Sequence, residues 1–491
     1  MAGTIAISLL AVAGFGLGLW TTGVVHIARR AMTMTSAGLS TMMDPELDDD
    51  AKEGAVRRAG LGLIRSAFEI FWRIALALGA AAAPIYAADA LGLAPSAAVF
   101  ALMLRLDYIV VVSVVVIVAA EIIRRRGGGR RSAVSGTDPY SATDRFFHEL
   151  AFSSPAVLKT ASWLEDRVIG SDATDAAQAP IFITSLPRGG TTALLNALHD
   201  LPGLATHIYR DMPFVTSPIL WNRLSGGKRR AVERHQRAHG DGLEIDLDTP
   251  EAFEEVVWKL FWPEKYRSDG IDLWRPADRR PEAERFLGNH MNKIARARLA
   301  HGRVDAAAQL RYCSKNNANI ARLAYLPAAF PGCRIVVPLR RPECHAASLL
   351  RQHLNFLRLH AEDDFIRRYM RDIGHFDFGS IHKPIRFPGF DAERHDPNTG
   401  DYWMYYWIHA FTHILENRER CIFVLQDDLR AAPQKTMIRL CDGLGIAPGR
   451  LGFESYFHGK PDTADSRAYS RGLFDEASDI YRRIVDLAAA A

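Results

Sequence analysis

Cysteine is scarce in this sequence, and its cysteines are not paired. The 491 residues include five cysteines, at positions 313, 333, 344, 421 and 441, and no two of them form a Cys-x-x-Cys pair. An odd, scattered set argues against a disulfide framework and a zinc site, and it favours a reducing compartment. His345, His353 and His360 also lack a tight metal-ligand spacing, so we expect no bound metal.

The sequence also lacks a strong charge imbalance and internal repeats. A formal net charge of +4 predicts no nucleic-acid partner. No similarity recurs at a fixed solenoid spacing, which argues against a repeat architecture. With 48% hydrophobic and 24% charged residues, the composition is that of a folded globular chain.

Charged residues are nearly absent from three amino-terminal segments. Residues 4–28, 70–93 and 97–123 are each long enough to cross a bilayer as a helix. Arg105 and Asp107 interrupt the third segment, so it could begin later and be short. A secretory signal is an alternative for the first segment, but no basic stretch precedes it. We expect a membrane region over residues 1–125 with about three transmembrane helices.

Basic residues next to these segments predict their orientation. Arg29 and Arg30 follow the first segment, the run RRRGGGRR at 124–131 follows the third, and the loop between the second and third has no Lys or Arg. Cytoplasmic loops carry an excess of such residues. The pattern predicts a multi-pass protein with an external amino terminus and with residues 124 onward in the cytoplasm. A Gly-, Ser- and Arg-rich linker is predicted over residues 126–150.

The remaining residues, 151–491, form one predicted α/β domain. Four apolar runs, at 181–185, 310–313, 334–339 and 421–425, each precede a turn and a helical pattern. Such runs predict a parallel sheet flanked by helices. A helical insertion is predicted over 214–305, between the first two strands.

The clearest helix of this insertion is predicted to begin at Thr249, before Pro250. Its apolar residues share one face, and Glu251, Glu254 and Glu255 are expected on a solvated face. Farther along the chain, the aromatic run YWMYYW at 402–407 is expected in the core, with a sugar platform as the alternative.

A glycine-containing loop follows the first strand and reads PRGGTT over residues 187–192. Glycines let backbone amides approach a ligand, and a helix beginning at Thr191 directs unpaired N–H groups at an anion. Arg188 adds a permanent cation with a planar donor fork. The lysine of a Walker loop and the pattern GxGxxG are both absent. The loop predicts a phosphate-like ligand; a tight turn without a ligand is the alternative.

A second candidate site follows the third strand. Arg340 stands at the end of this strand, and Ser348 lies eight residues later on the next helix. Open α/β sheets bind ligands outside the carboxyl ends of their strands. Both residues could therefore hold a second phosphate near the first, although the pattern is also common in purely structural positions.

Together the two sites resemble those of the sulfotransferases that use 3′-phosphoadenosine 5′-phosphosulfate (PAPS). In that family a loop with the pattern Pro-[Lys/Arg]-[Ser/Gly]-Gly-Thr-Thr holds the 5′-phosphosulfate, and an arginine with a serine eight positions later holds the 3′-phosphate. The similarity covers about residues 178–450 and is closest to the bacterial and Golgi-type branch. It implies a P-loop NTPase-like fold and PAPS as co-substrate without a metal. The residues that it places against PAPS are Pro187, Arg188, Gly189, Gly190, Thr191, Thr192, Arg340 and Ser348.

The resemblance also implies catalytic residues. Arg188 would stabilise the bridging oxygen, and Lys315 would reach the sulfuryl oxygens, although Lys315 could be a surface lysine instead. The histidine that follows this lysine in the cytosolic branch is absent, since Lys315 is followed by two asparagines. Other branches of the family place a carboxylate in the segment after the first helix, so the resemblance implies His207 or Asp211 as the base, with a packing histidine and a helix cap as the alternatives.

These features predict a membrane-anchored sulfotransferase that acts on a hydroxyl or amine. Tethering favours a lipid or lipid-linked glycan acceptor at the bilayer, and a soluble acceptor stays open. Two other functions are compatible with the sequence. One is a P-loop-like phosphotransferase or NTPase, which needs a carboxylate for magnesium. The other is a non-catalytic membrane scaffold.

Overall fold

The computed structural model describes residues 2–24, 27, 49–105, 108, 112, 142–170, 176–225, 235–236, 244–245, 248–300, 310–457 and 465–490. The chain divides into two compact units, Met1–Val134 and Ser135–Ala491.

The first unit contains apolar helices. They are α1 (Ala2–Thr22), α2 (Asp49–Ala90) and α3 (Ser96–Met103). Among the described residues, one helical stretch, Arg65–Ala90, is long and apolar enough to cross a membrane, and α1 supplies a shorter apolar stretch, Gly3–Leu19. The structure thus supports one candidate span where the sequence predicted three. The third predicted segment forms the eight-residue α3 and then lies mostly outside the described residues.

Small residues let α1 and α2 pack closely. A Cβ atom added at Gly14 would lie 2.7 Å from the Ala80 carbonyl oxygen, and one at Gly18 would lie 2.8 Å from the Ala77 Cα. Such glycine spacing allows two helix backbones to approach each other. Large side chains on α2 nevertheless stay exposed, including Phe68 at 70% and Phe71 at 72%. This exposed apolar surface is compatible with a lipid environment.

The second unit is built on a five-stranded parallel sheet in the order β2-β5-β1-β6-β7. Its strands are β1 (Ile181–Ile183), β2 (Leu204–Ala205), β5 (Arg311–Lys315), β6 (Arg334–Leu339) and β7 (Cys421–Leu425), and a separate hairpin joins β3 (His235–Gln236) to β4 (Glu244–Ile245). All four predicted strands are confirmed, and the α/β prediction with them. β2 is two residues long, too short to give a periodic signal.

Alternate residues of the sheet enter two separate apolar clusters. Phe182 belongs to one cluster, whereas its neighbours Ile181 and Ile183 belong to the other. Both faces are therefore covered, as expected for a parallel sheet. The helices of this unit are α4 (Ala142–Ala151), α5 (Pro155–Ile169), α6 (Thr191–His199), α7 (Pro218–Leu224), α8 (Glu255–Phe261), α9 (Pro281–Ala300), α10 (Tyr325–Ala329), α11 (Pro342–Glu362), α12 (Asp364–Ile373), α13 (Gly400–Glu416), α14 (Gln426–Ala431), α15 (Pro433–Leu444) and α16 (Arg471–Ala490).

Several boundaries differ from those predicted. Helix α4 begins at Ala142, so residues 142–150 are not linker; residues 126–141 lie outside the described residues. Helix α8 begins at Glu255, six residues after the predicted start at Thr249. The aromatic run at 402–407 is buried in α13, which confirms its prediction as core.

The three glutamates of the insertion are buried, so the prediction of a solvated face is wrong. Glu251, Glu254 and Glu255 are 4%, 1% and 2% exposed. Burial of a carboxylate requires polar partners, and each glutamate has them. Glu254, for example, accepts hydrogen bonds from Trp258 Nε1 at 2.8 Å and from the Tyr312 hydroxyl at 3.0 Å.

Glu255 forms a buried ion pair with Arg322. Arg322 Nη1 and Nη2 each donate to a Glu255 carboxylate oxygen at 2.8 Å. The guanidinium carbon lies 4.4 Å from the ring centre of Trp258 and 4.1 Å from that of Trp274. Glu255 also accepts from Asn316 Nδ2 at 2.7 Å. This network fixes the end of β5, where the site begins.

Candidate active site

The loop after β1 makes a left-handed turn into α6. Arg188 has φ 68° and Gly190 has φ 96°. Glycine adopts such values readily, whereas arginine does so only where the surroundings enforce it. Thr191, which begins α6, is 2% exposed. The turn brings the amides of the first α6 turn to the carboxyl end of β1, as the sequence predicted.

His345 on α11 anchors the loop by a hydrogen bond to its backbone. His345 Nε2 donates to the Pro187 carbonyl oxygen at 2.8 Å, and His345 Nδ1 accepts from Trp407 Nε1 at 3.2 Å. Burial, together with the nearby Arg340 cation, lowers the pKa of His345 to about 3. The imidazole is therefore neutral near pH 7, which is the state that these two hydrogen bonds require. No sequence pattern predicted this chain of contacts.

The two predicted phosphate sites are adjacent in the structure. Arg188 Nε donates to Ser348 Oγ at 3.3 Å, and Arg340 Nη1 donates to the Arg188 carbonyl oxygen at 2.9 Å. Arg340 follows the end of β6, and Ser348 is buried on α11. Because β1 and β6 are parallel neighbours, their carboxyl ends lie side by side. The loop and the Arg340–Ser348 pair therefore form one continuous polar site.

The end of β5 borders the same site. Thr191 Oγ1 lies 3.5 Å from Asn317 Oδ1, which joins the start of α6 to the turn after β5. Lys315, the last residue of β5, is 7% exposed, and its Nζ lies 3.7 Å from Glu251 Oε1. Lys315 is thus a buried lysine near the loop, not the surface lysine of the alternative interpretation. Thr192 follows Thr191 on α6 and is partly exposed.

His207 and Asp211 lie in a buried cluster. Asp211 accepts from the Ile208 amide at 3.0 Å and is paired with Arg298. Although burial alone would raise the pKa of Asp211, Arg298 and His207 hold that pKa far below its ordinary value. His207 Nε2 lies 3.1 Å from His290 Nε2. This geometry favours the structural alternatives for both residues, and their prediction as the catalytic base gains no support from it.

A cavity opens beside the loop, and neither His207 nor Asp211 lines it. Leu186 and Pro187 form one wall, Asn316 and Asn317 form another, and the segment 374–377 after α12 forms a third. Asp377 is an acid in this wall. Burial raises the pKa of Asp377, against the opposing influence of His375, Lys315 and a hydrogen bond from the Asn317 side chain.

Sequence reasoning missed Asp377, since it lies in an irregular segment without a motif, about 60 residues after Lys315. Only the return of the chain after α12 brings this segment to the carboxyl end of β5. The polar side chains of the cavity and the loop together form a site that can bind an anion and accept a proton.

Three bacterial sulfotransferases are among the solved structures similar to this chain. The chain is similar in structure to the sulfotransferase STF9 from Mycobacterium avium, with a TM-score of 0.41 and 13% identity, covering 75% of this chain and 95% of that one. For the sulfotransferase STF1 from Mycobacterium tuberculosis H37Rv, the TM-score is 0.35 and the identity 15%, covering 71% and 87%. For the sulfotransferase domain from the Synechococcus PCC 7002 olefin synthase, the values are 0.27 and 14%, covering 64% and 97%.

A search of curated proteins gave no match to the chain. The family model described as the sulfotransferase family matches residues 180–380. This range contains the loop, the end of β5, the Arg340–Ser348 pair and Asp377. Residues 180–380 are therefore a sulfotransferase-family domain.

Proposed function

We propose that this enzyme transfers a sulfuryl group from PAPS to a hydroxyl or amine of an acceptor. The observation that carries the proposal is the proximity of two polar corners, the loop and the Arg340–Ser348 pair. Arg188 Nε lies 3.3 Å from Ser348 Oγ, and Arg340 Nη1 lies 2.9 Å from the Arg188 carbonyl oxygen. PAPS has anionic groups on both its 3′ and 5′ positions. Two adjacent anion-binding corners suit such a nucleotide better than one that carries phosphates at a single end.

In this proposal the loop binds the 5′-phosphosulfate. The amides of Gly189, Gly190 and the first turn of α6, with the hydroxyls of Thr191 and Thr192, supply the donors. Arg340 and Ser348 bind the 3′-phosphate by a charged and a neutral hydrogen bond. This donor set carries enough positive and dipolar charge for the purpose, so we propose that no metal takes part.

The reaction is an in-line displacement at sulfur. The acceptor oxygen or nitrogen forms a bond to sulfur, the bond between sulfur and the bridging oxygen breaks, and adenosine 3′,5′-bisphosphate leaves with the electron pair. Arg188 stabilises the charge that develops on the bridging oxygen, and Lys315 contacts the sulfuryl oxygens. The proton of the acceptor passes to a base.

Calorimetric titration of the intact chain in detergent tests nucleotide recognition. We expect adenosine 3′,5′-bisphosphate to bind in the presence of EDTA about 100-fold more tightly than adenosine 5′-monophosphate, because a buried charged contact contributes about 3 kcal/mol. Arg340→Ala is expected to remove most of this difference. Arg341→Ala is the matched control, since Arg341 pairs with Asp427 at 3.4 Å. Equal affinities for the two nucleotides would contradict the proposal.

The same preparation distinguishes the nucleotide-hydrolase alternative. Hydrolysis of ATP that requires magnesium and is lost in Thr191→Ala would favour a P-loop-like NTPase. A folded chain that binds neither nucleotide would favour a scaffold without a ligand.

A second prediction concerns Gly189. A Cβ atom at this position would lie 2.9 Å from Ser185 Oγ, 3.0 Å from His345 Cε1 and 3.0 Å from the Leu186 carbonyl oxygen. Gly189→Ala should therefore displace the loop and weaken binding of adenosine 3′,5′-bisphosphate by at least about 10-fold, as expected for an overpacking cost of 1–3 kcal/mol. In the control Gly443→Ala, the added Cβ meets nothing within 4 Å. An unchanged affinity in Gly189→Ala would exclude a contact between this loop and the nucleotide.

We also propose that Arg65–Ala90 anchors the enzyme to a membrane, with the sulfotransferase domain on the cytoplasmic side and a lipid or lipid-linked glycan as acceptor. The exposed apolar side chains of α2 and the basic run at 124–131 support this proposal. The chain is expected to stay with membranes during alkaline carbonate washing and to be digested by protease only after the cytoplasmic side is opened. Release by carbonate would contradict anchoring, and digestion in sealed right-side-out vesicles would contradict the orientation.

A further inference from the structure

Asp377 lines the cavity beside the loop. The cavity wall includes Leu186 and Pro187 on the loop side and the segment 374–377 on the other. Among the described residues that line it, Asp377 is the one acid. The cavity therefore borders the loop at Pro187 and has one carboxyl group in its described lining.

A single amide side chain links Asp377 to the start of α6. Asn317 Oδ1 lies 3.5 Å from Thr191 Oγ1, and the Asn317 side chain also hydrogen-bonds Asp377. The Asn317 carbonyl oxygen accepts from Thr184 Oγ1 at 3.2 Å, which fixes the turn to β1. Since the Asn317 oxygen faces Thr191, its Nδ2 is the atom that donates to the carboxylate. One amide side chain thus bridges the start of α6 and Asp377.

The other acid near Lys315 is Glu251, and both of its carboxylate oxygens already accept hydrogen bonds. Glu251 Oε2 accepts from the Tyr209 hydroxyl at 2.8 Å, and Oε1 accepts from the Ala252 amide at 2.8 Å and faces Lys315. His375 Nε2 donates to the Ala252 carbonyl oxygen at 2.9 Å, so this nitrogen holds its proton. Asp377 is the carboxyl group of the cavity lining and is therefore our candidate for taking up a proton.

The charges around Asp377 come from several elements. Lys315 at the end of β5 and His375 on its own segment favour the carboxylate, whereas Glu255 on α8 opposes it. His382 and Lys383 also line the cavity, and burial lowers the pKa of His382 to about 3, so His382 is neutral. Burial raises the pKa of Asp377 itself above its ordinary value of 3.8. A carboxylate of raised pKa is a stronger base, and it is still ionised once the pH exceeds that value.

We propose that Asp377 is the general base that accepts the proton of the acceptor hydroxyl, and that this hydroxyl is carried on an apolar skeleton. The inference rests on the proposed sulfuryl transfer. The O–H proton passes to the Asp377 carboxylate as the acceptor oxygen bonds to sulfur, and adenosine 3′,5′-bisphosphate leaves with the electrons of the broken S–O bond. Apolar residues, including Leu186, Phe376 and Ile385, form part of the cavity lining and favour an acceptor of this class.

The test is Asp377→Asn in the intact chain, with [35S]PAPS as donor and both 1-dodecanol in micelles and water as acceptor probes. We expect transfer and sulfate release to fall about 100-fold or more, the scale of general base catalysis. Affinity for adenosine 3′,5′-bisphosphate should change less than about 2-fold, because Asp377 contacts the acceptor and not the nucleotide. The wild-type rate should rise with pH through the pKa of Asp377, and this limb should vanish in the variant.

Two further variants make the outcome decisive. Asp377→Glu keeps a carboxylate and should recover part of the rate and the pH-dependent limb, whereas Glu393→Gln changes an exposed acid and should behave as wild type. An Asp377→Asn rate within a few-fold of wild type, or an intact pH limb, would overturn the assignment. So would an equal loss of bisphosphate affinity. Failure of the wild type to bind adenosine 3′,5′-bisphosphate would instead overturn the proposed function.

Discussion

Replacing Arg188 with alanine is expected to lower kcat for sulfuryl transfer by about 100- to 1,000-fold, the usual loss when one preorganised donor to a developing oxyanion is removed. Arg188 lies in the loop at φ 68°, with its Nε 3.3 Å from Ser348 Oγ. This position places a cation between the two proposed anion-binding corners. The strain of its backbone is already present in the wild type, so alanine removes only the side chain.

The measurement is a single-turnover assay with [35S]PAPS on wild type and variant. Arg188→Lys keeps the positive charge but loses the planar donor fork, so its rate should lie between the other two. Arg341→Ala, one residue beyond Arg340, should transfer at the wild-type rate. If Arg188→Ala loses nucleotide affinity but keeps kcat, Arg188 binds ground state and transition state equally, and its catalytic role is refuted.

Replacing Arg322 with methionine should destabilise the fold by about 3–5 kcal/mol, because this change leaves Glu255 buried without its cation. Arg322 and Glu255 are 0% and 2% exposed, and the guanidinium is held between the rings of Trp258 and Trp274. Although burial alone would raise the pKa of Glu255, Arg322 holds that pKa below its ordinary value. Without Arg322 the carboxyl group must take up a proton or draw in water.

Urea unfolding of the intact chain measures this loss as a shift in the midpoint. Arg358→Met is the matched control, since Arg358 pairs with Glu362 at 3.0 Å on an exposed helix face. An exposed pair of this kind contributes about 0.5 kcal/mol. Equal shifts in both variants would mean that the buried pair is not a main support of the fold. Because Glu255 also binds Asn316 at 2.7 Å, we expect Arg322→Met to disturb the cavity wall as well.

The sequence was most informative where chemistry and local structure coincide. Each apolar run before a turn became a strand, and the loop from Pro187 to Thr192 and the Arg340–Ser348 pair came together because parallel strands end at one edge. The burial of Glu254 and Glu255 was not predictable, since most of their partners are distant in the chain. Arg322, for example, lies 67 residues from Glu255.

Asp377 in the cavity and His345 beneath the loop were not predictable from the sequence for a similar reason. Asp377 carries no motif, and His345 reaches the Pro187 carbonyl oxygen across 158 residues. The resemblance implies His207 or Asp211 as the base, yet Arg298 and His290, which are distant in the chain, enclose them. Proximity to the loop along the chain therefore does not place these two residues in the cavity lining.

A structure of the intact chain bound to adenosine 3′,5′-bisphosphate would show whether both corners bind one nucleotide. We expect one nucleotide, with its 5′-phosphate about 3 Å from the amides of residues 189–192 and its 3′-phosphate about 3 Å from Arg340 and Ser348. A nucleotide that contacts only one of these two corners, or that lies in another cavity, would refute the proposed binding mode.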